Sequence, residues 1–130
     1  MAKKRKVLII DDDRPLAQLF ASHLRQAGYV SLIGEDAMQG FMFAQRDLPD
    51  VILLDISMPA GGGMLVFDRL AKSAKTSGIP VIVITALEDP KVANDSTARG
   101  ARAVLRKPID KDTLLKKVAE VLGTSDPKAP

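Results

Sequence analysis

Val7-Leu8-Ile9-Ile10-Asp11-Asp12-Asp13 is an unbroken aliphatic run closed by three acids. A run with no polar alternation marks a strand buried on both faces, the habit of parallel sheets. The same form returns at Val51–Leu54, closed by Asp55, and at Val81–Ile84, closed by Thr85. Val30–Ile33 and Ala103–Leu105 are weaker runs of the same kind, the last cut by Lys107-Pro108. Helix-period stretches separate them. Leu16, Leu19, Phe20 and Leu24 form one apolar face, with Asp13 or Asp11 as cap, Pro15 in the first turn and Gly28 as stop. Ala37, Phe41, Ala44 and Leu48 form a second, weakened by Gly40. Met64, Phe67, Leu70, Ala71 and Ala74 form a third, ending near Gly78. Asp89-Pro90 opens a short, poorly apolar fourth helix that Gly100 stops, and Leu114, Leu115, Val118, Val121 and Leu122 make a fifth that Gly123 ends. Residues 58–63 (Met-Pro-Ala-Gly-Gly-Gly) read as a flexible loop.

Strand and helix therefore alternate five times, which predicts an α/β fold with right-handed crossovers and a doubly wound, five-stranded parallel sheet between two helix layers. The 130 residues suit one domain, and 46% hydrophobic with 27% charged residues is the balance of an ordinary globule. The expected limits are a basic arm over residues 1–5, a folded domain over 6–123 and a polar tail or linker stub over 124–130. There is no Cys, which excludes disulfides and thiolate chemistry, and the single His23 excludes a multi-His metal site. No apolar run approaches the ~20 residues that cross a bilayer, and the apolar run after the basic start is too short for the hydrophobic region of a signal peptide, so a cytoplasmic protein is expected. The net charge of +3 is concentrated in Lys3-Lys4-Arg5-Lys6, a solvated arm that leaves the rest close to neutral. Residues 91–117 hold eight bases against three acids. No DNA-binding region is recognisable.

Ligands of such sheets bind beyond the carboxyl ends of the strands. The residues expected there are Asp11, Asp12 and Asp13, then Asp55, Thr85 and Lys107. Helix capping explains one Asp, but not Asp55, which ends a strand and precedes a loop. Two carboxylates ~5 Å apart repel by roughly 3 kcal/mol at an effective dielectric near 20. A raised pKa, a bound cation or a nearby Lys must offset this. With oxygen ligands alone, a hard divalent ion is the natural guest, and Mg²⁺, which keeps waters and phosphate oxygens in its shell, fits best. A carboxylate beside Mg²⁺, a hydroxyl and an ammonium matches phosphoryl transfer.

These residues carry a resemblance. Val7–Asp13, Pro49–Pro59, Pro80–Ala86, Gly100-Ala101 and Lys107-Pro108, in this order and spacing, resemble the receiver domain of bacterial response regulators over about residues 5–123. The resemblance implies the flavodoxin-like strand order 2-1-3-4-5. It also implies that Asp55 is phosphorylated by a sensor histidine kinase or phosphotransfer protein. It makes Asp11, Asp12, Asp55 and the Ser57 carbonyl the Mg²⁺ ligands. Thr85 then bonds the phosphoryl group as it moves inward, Lys107 pairs with it, and the Lys107-Pro108 bond is cis. The face of the fourth helix, fifth strand and fifth helix would meet an unknown downstream protein, with the chain a monomer or a weak homodimer through that face. The implied protein is a phosphoacceptor, not a turnover enzyme.

The sequence departs from the family at several positions. Val104 stands where a Tyr or Phe usually rotates inward, so coupling to Thr85 cannot run through a ring. Ile109 replaces a frequent Phe, and Gly61-Gly62-Gly63 replaces Met-Asp-Gly. By the resemblance, Ser57 and Leu87, two positions past Asp55 and Thr85, flank the phosphoryl group and tune dephosphorylation; Leu87 is apolar and cannot orient an attacking water, which predicts slower self-hydrolysis. Other readings are a receiver-like interaction module that works without phosphorylation, a haloacid dehalogenase-type aspartyl-phosphate hydrolase and a flavodoxin. The hydrolase needs an Asp where Ser57 stands, and the flavodoxin needs aromatic loops in a chain with 4% aromatic residues.

Overall fold

The computed structural model describes residues 3–59, 62–86 and 90–123. The elements run β1 (Lys6–Ile10), α1 (Arg14–Gln26), β2 (Val30–Gly34), α2 (Ala37–Asp47), β3 (Val51–Asp55), α3 (Gly62–Lys72), β4 (Val81–Thr85), α4 (Pro90–Ala98), β5 (Ala103–Arg106) and α5 (Lys111–Leu122). All strand pairs are parallel, in the order β2-β1-β3-β4-β5. This is the doubly wound architecture expected from the alternation. The expected roles of Asp89 as helix start and Leu87 as a tuning residue lie outside the described residues, as do Met1 and Ala2 of the arm, Ala60 and Gly61 of the loop, and the tail over 124–130.

The aliphatic strands are polar on neither side because each side faces a helix layer. Val7, Ile9, Val51, Leu53, Ile82 and Ile84 pack against Phe20 and Leu24 of α1 and Leu114 and Val118 of α5. The alternate residues Leu8, Ile10, Ile52, Leu54 and Val83 pack against Ala44 of α2 and Val66, Phe67 and Leu70 of α3. Almost every one of these side chains is fully removed from water. Leucine-sized burials contribute about 1.5–3 kcal/mol each, so the sheet centre is the main source of stability.

Local signals set the helix ends. Asp13 caps α1, its Oδ1 accepting from Leu16 N at 3.1 Å, while Asp36 and Asp110 cap α2 and α5 by accepting from Gln39 N and Thr113 N at 2.7 Å. Of the two expected caps for α1, Asp13 is the one used, which leaves Asp11 for other contacts. Gly28, Gly100 and Gly123 follow their helices with φ of 98°, 104° and 79°. α2 instead ends on Leu48 at φ 46°, a left-handed position without glycine.

Two expectations need correction. Gly62 and Gly63 are not loop but the first turn of α3. A Cβ on Gly63 would lie 2.4 Å from Ile56 Cα and 2.6 Å from the Asp55 carbonyl oxygen, so the glycine permits helix and strand end to touch. α3 also stops at Lys72 rather than near Gly78. There Thr76 N and Ser77 N donate to Ser73 O, and the Thr76 hydroxyl, buried, donates to Leu70 O at 2.7 Å, satisfying carbonyls the helix leaves open. Gly40, which weakens the helix pattern, lies over Ile10, whose side chain leaves no room for a Cβ.

Because the atoms facing Gly63 are backbone and those facing Gly40 belong to a side chain, Gly63→Ala is expected to destabilise more than Gly40→Ala. The expected loss for Gly63→Ala is about 3 kcal/mol, at the upper end of overpacking effects. Urea unfolding midpoints of the two variants check this order.

Candidate functional site

β1, β3 and β4 all point their carboxyl ends to the same edge, which brings Asp11, Asp55 and Thr85 together, each at most 3% exposed. Register does this directly. Ile10 lies beside Leu54 and Asp55 beside Ile84, so the next residue of β1 and the last residues of β3 and β4 reach the same level. Lys107 enters from the turn after β5. Its amide donates to the Thr85 carbonyl at 2.8 Å, and its bond to Pro108 is cis. Its Nζ lies 3.2 Å from Asp11 Oδ2 and 3.3 Å from Asp55 Oδ2. One ammonium thus serves two buried carboxylates.

The remaining oxygens are held by backbone. Asp11 Oδ1 accepts from Asp13 N at 2.9 Å, and Asp55 Oδ1 accepts from Ser57 N at 2.8 Å. Asp11 Oδ2 is buried without a hydrogen bond of good geometry. Burial pushes the Asp11 carboxyl up from 3.8 to about 6, and the neighbouring Asp55 adds to the rise; the Asp13 amide and Lys107 pull the other way. Burial disfavours the Lys107 charge, yet Asp11 and Asp55 outweigh it and hold Lys107 above its ordinary 10.5. Asp12 is exposed at the rim, and Asp11, Asp12 and Asp55 each offer an oxygen within 4.8 Å of the others. Three carboxylates that can each turn an oxygen to one point, with Asp11 Oδ2 held by the Lys107 charge but by no hydrogen bond, fit a divalent cation such as Mg²⁺.

Ser57 has a role that sequence reasoning missed. Its carbonyl was expected as a metal ligand and its side chain beside the phosphoryl group, but not that its hydroxyl oxygen accepts from Ala86 N at 3.1 Å, joining the connection after β3 to the one after β4. The only sequence signal was a hydroxyl two residues beyond the acid. Val104 does not join the polar cluster. It sits beside Val83 in register and packs into the apolar layer containing Leu8 and Ile10.

Residues 7–119 match the sequence profile of the response regulator receiver domain. The chain belongs to this family. The receiver domain is 36% identical over 118 residues to protein PilH of Pseudomonas aeruginosa, covering 91% of this chain and 98% of PilH. It is 34% identical over 121 residues to the DNA-binding dual master transcriptional regulator RpaA of Synechocystis, covering 93% of this chain but only 50% of RpaA. Chemotaxis protein CheY4 of Vibrio cholerae superposes with a TM-score of 0.86 at 28% identity, over 92% of this chain and 99% of CheY4. Receiver domains act in two-component signalling by accepting a phosphoryl group on an aspartate, use Mg²⁺ generally, and interact with histidine kinases and downstream effectors. Among the described residues no helix is long and apolar enough to cross a membrane.

The raised Asp11 value sets a pH test. Its charge is tolerated less well in the fold than in the unfolded chain. The penalty is absent below 3.8, grows through the window up to about 6 and is complete above it. In metal-free buffer at pH 7.5, Asp11→Asn is therefore expected to melt several degrees higher than wild type, the full effect being bounded by about 3 kcal/mol. The gap should narrow as pH falls through about 6, where wild-type Asp11 becomes protonated in the fold, and close toward 3.8. Thermal melts across that range check it.

Proposed function

We propose that Asp55 is the phosphoryl acceptor of this receiver domain, taken as residues 6–123 with the basic arm and polar tail outside it. The observation behind this is its placement. It is a carboxylate buried at a strand end, fixed on one oxygen by Ser57 N and paired on the other with the Lys107 ammonium. A carboxylate oxygen attacks the phosphorus of a phosphohistidine. An aspartyl P–O bond forms, the P–N bond breaks, and the imidazole leaves with the electron pair and takes a proton. Lys107 then faces an added anion, and the Thr85 hydroxyl is a further donor to it.

Asp11, Asp12, Asp55 and the Ser57 carbonyl are the residues that would hold Mg²⁺. When bound, Mg²⁺ supplies charge neutralisation at the phosphoryl oxygens. The phosphoryl donor is a sensor histidine kinase or a phosphotransfer protein, and because such kinases draw on ATP the reading places the chain in the cytoplasm. The response passes from Thr85 to the face of α4, β5 and α5, where a downstream protein or a weakly held second copy docks. Val104 removes the usual ring from that route and favours a second reading, an interaction module indifferent to phosphorylation.

Incubation with acetyl phosphate and Mg²⁺ is expected to add the mass of one phosphoryl group, and Asp55→Asn to abolish the gain. Labelling by acetyl phosphate should weaken as pH falls through about 6, because the proton on Asp11 competes with the cation. Wild type that takes up no label in Mg²⁺ while keeping its fold would favour the interaction module. Intact-mass spectrometry reads both outcomes.

A further inference from the structure

α2 and α3 lie side by side, and a furrow runs along their junction. Its middle is lined by Ala37, Met38, Phe41, Leu65, Val66 and Arg69. Through the shared Ala37 and Met38 it opens at its upper end onto Asp12, Asp36, Met58, Pro59 and Gly62. Through Phe41 it continues at its lower end to Met42, Arg46 and Lys75. Among the described residues, six large apolar side chains are exposed, and three of them rim this furrow: Met38 at 82%, Met42 at 52% and Leu65 at 52%. None of the six lies on α4, β5 or α5. A contiguous apolar patch with a polar rim is the mark of an interaction surface, and methionines suit a surface that repacks around its partner.

The rim is also polarised. Helices α2 and α3 both run away from the strand tips, so their first turns lie at the acidic end with Asp12 and Asp36. Their last turns lie at the basic end with Arg46, Arg69 and Lys75. Arg46 is paired with Asp47 and stacked on Phe43, with 4.7 Å from its guanidinium carbon to the ring centre. The acid nearest Arg69 in sequence, Asp68, is instead engaged by Arg99 at 2.8 Å. An α-helix carries acids in its first turn and bases in its last at no cost to its own dipole. Laid antiparallel to α2, such a helix sets acid against Arg69 and Lys75 and base against Asp12 and Asp36, with its apolar stripe on Met38, Phe41 and Leu65. α2 has 11 residues, about 16 Å, so three turns fill the furrow.

We propose that the α2–α3 furrow is a docking site for an amphipathic helix of a partner protein, acidic at its first turn and basic at its last. The site is separate from the α4, β5 and α5 face, and its upper end includes Asp12 of the carboxylate cluster. Binding does not require phosphorylation of Asp55, so the test stands apart from that chemistry.

The probe is a fluorescein-labelled synthetic helix of about 14 residues, with leucine every third or fourth position, glutamate in the first turn and lysine in the last. Titration with the full chain, read by anisotropy, is expected to saturate, with amide shifts in NMR confined to α2, α3 and the connection after β3. Met38→Asp, at a site exposed enough to leave folding intact, should weaken binding at least ten-fold. Arg69→Glu should weaken it about five-fold and recover with a peptide in which lysine replaces the first-turn glutamate that faces residue 69. Three results overturn the proposal: no saturable binding to wild type, equal binding to Met38→Asp, or self-association of the chain lost in Met38→Asp, which assigns the furrow to a second copy.

Discussion

Two carboxylates buried against a single ammonium are the constraint to which the rest of the fold is fitted. Asp11 and Asp55 repel, and so little water reaches them that their repulsion is weakly screened. Lys107 offsets part of this from 3.2 and 3.3 Å, and two backbone amides take one oxygen from each acid. Burial first, and then what is left of the repulsion, appear as the raised pKa of Asp11. Such an arrangement stands only because the surrounding sheet is closely packed and fixed in register. Five strands of aliphatic residues hold the three groups at one level, and relaxation that would let the acids separate would open the apolar layers. The strain at the site is thereby held by the stability of the core, as binding sites commonly require.

The layers were legible in the sequence because the physical signal is strong. A strand covered on both faces cannot alternate, so Val7–Ile10, Val51–Leu54 and Val81–Ile84 announce a parallel sheet. Parallel strands in turn place Asp11, Asp55 and Thr85 at one edge. Lys107 was legible as a residue at the fifth strand tip, though only the structure shows it between two acids. What could not be read depended on contacts distant in sequence. Gly62 and Gly63 have the composition of a loop, and only the approach of Ile56 to Gly63 explains a glycine in the first turn of a helix. The Ser57 hydroxyl meets Ala86, 29 residues away, and no local pattern reports it. The early end of α3 follows from Thr76 and Ser77 closing back on Ser73 and Leu70, a matter of turn chemistry and not of apolar period.

Family membership and the departures from it have different physical weight. The groups that handle charge form one pocket. The group that in relatives moves as a ring is here Val104, whose small side chain fills the apolar layer beside Val83. The charged pocket at the strand tips and the apolar packing of Val104 are separate parts of this fold. The large apolar side chains exposed to water lie on α1, β2, α2, α3 and the residue after α2, and none of them lies on the last third of the chain among the described residues.

Gly63 gives the molecule a mechanical property. With no side chain between them, the first turn of α3 rests against the backbone of Asp55 and Ile56. Rigid bodies in such contact cannot move independently, so a displacement at the tip of β3 pushes on the whole of α3 as on the short arm of a lever. The opposite end of that helix, about three turns away but stiff throughout, swings with it beside α2. Events among buried acids can thus be felt on a distant hydrophobic surface without any rotating side chain in between.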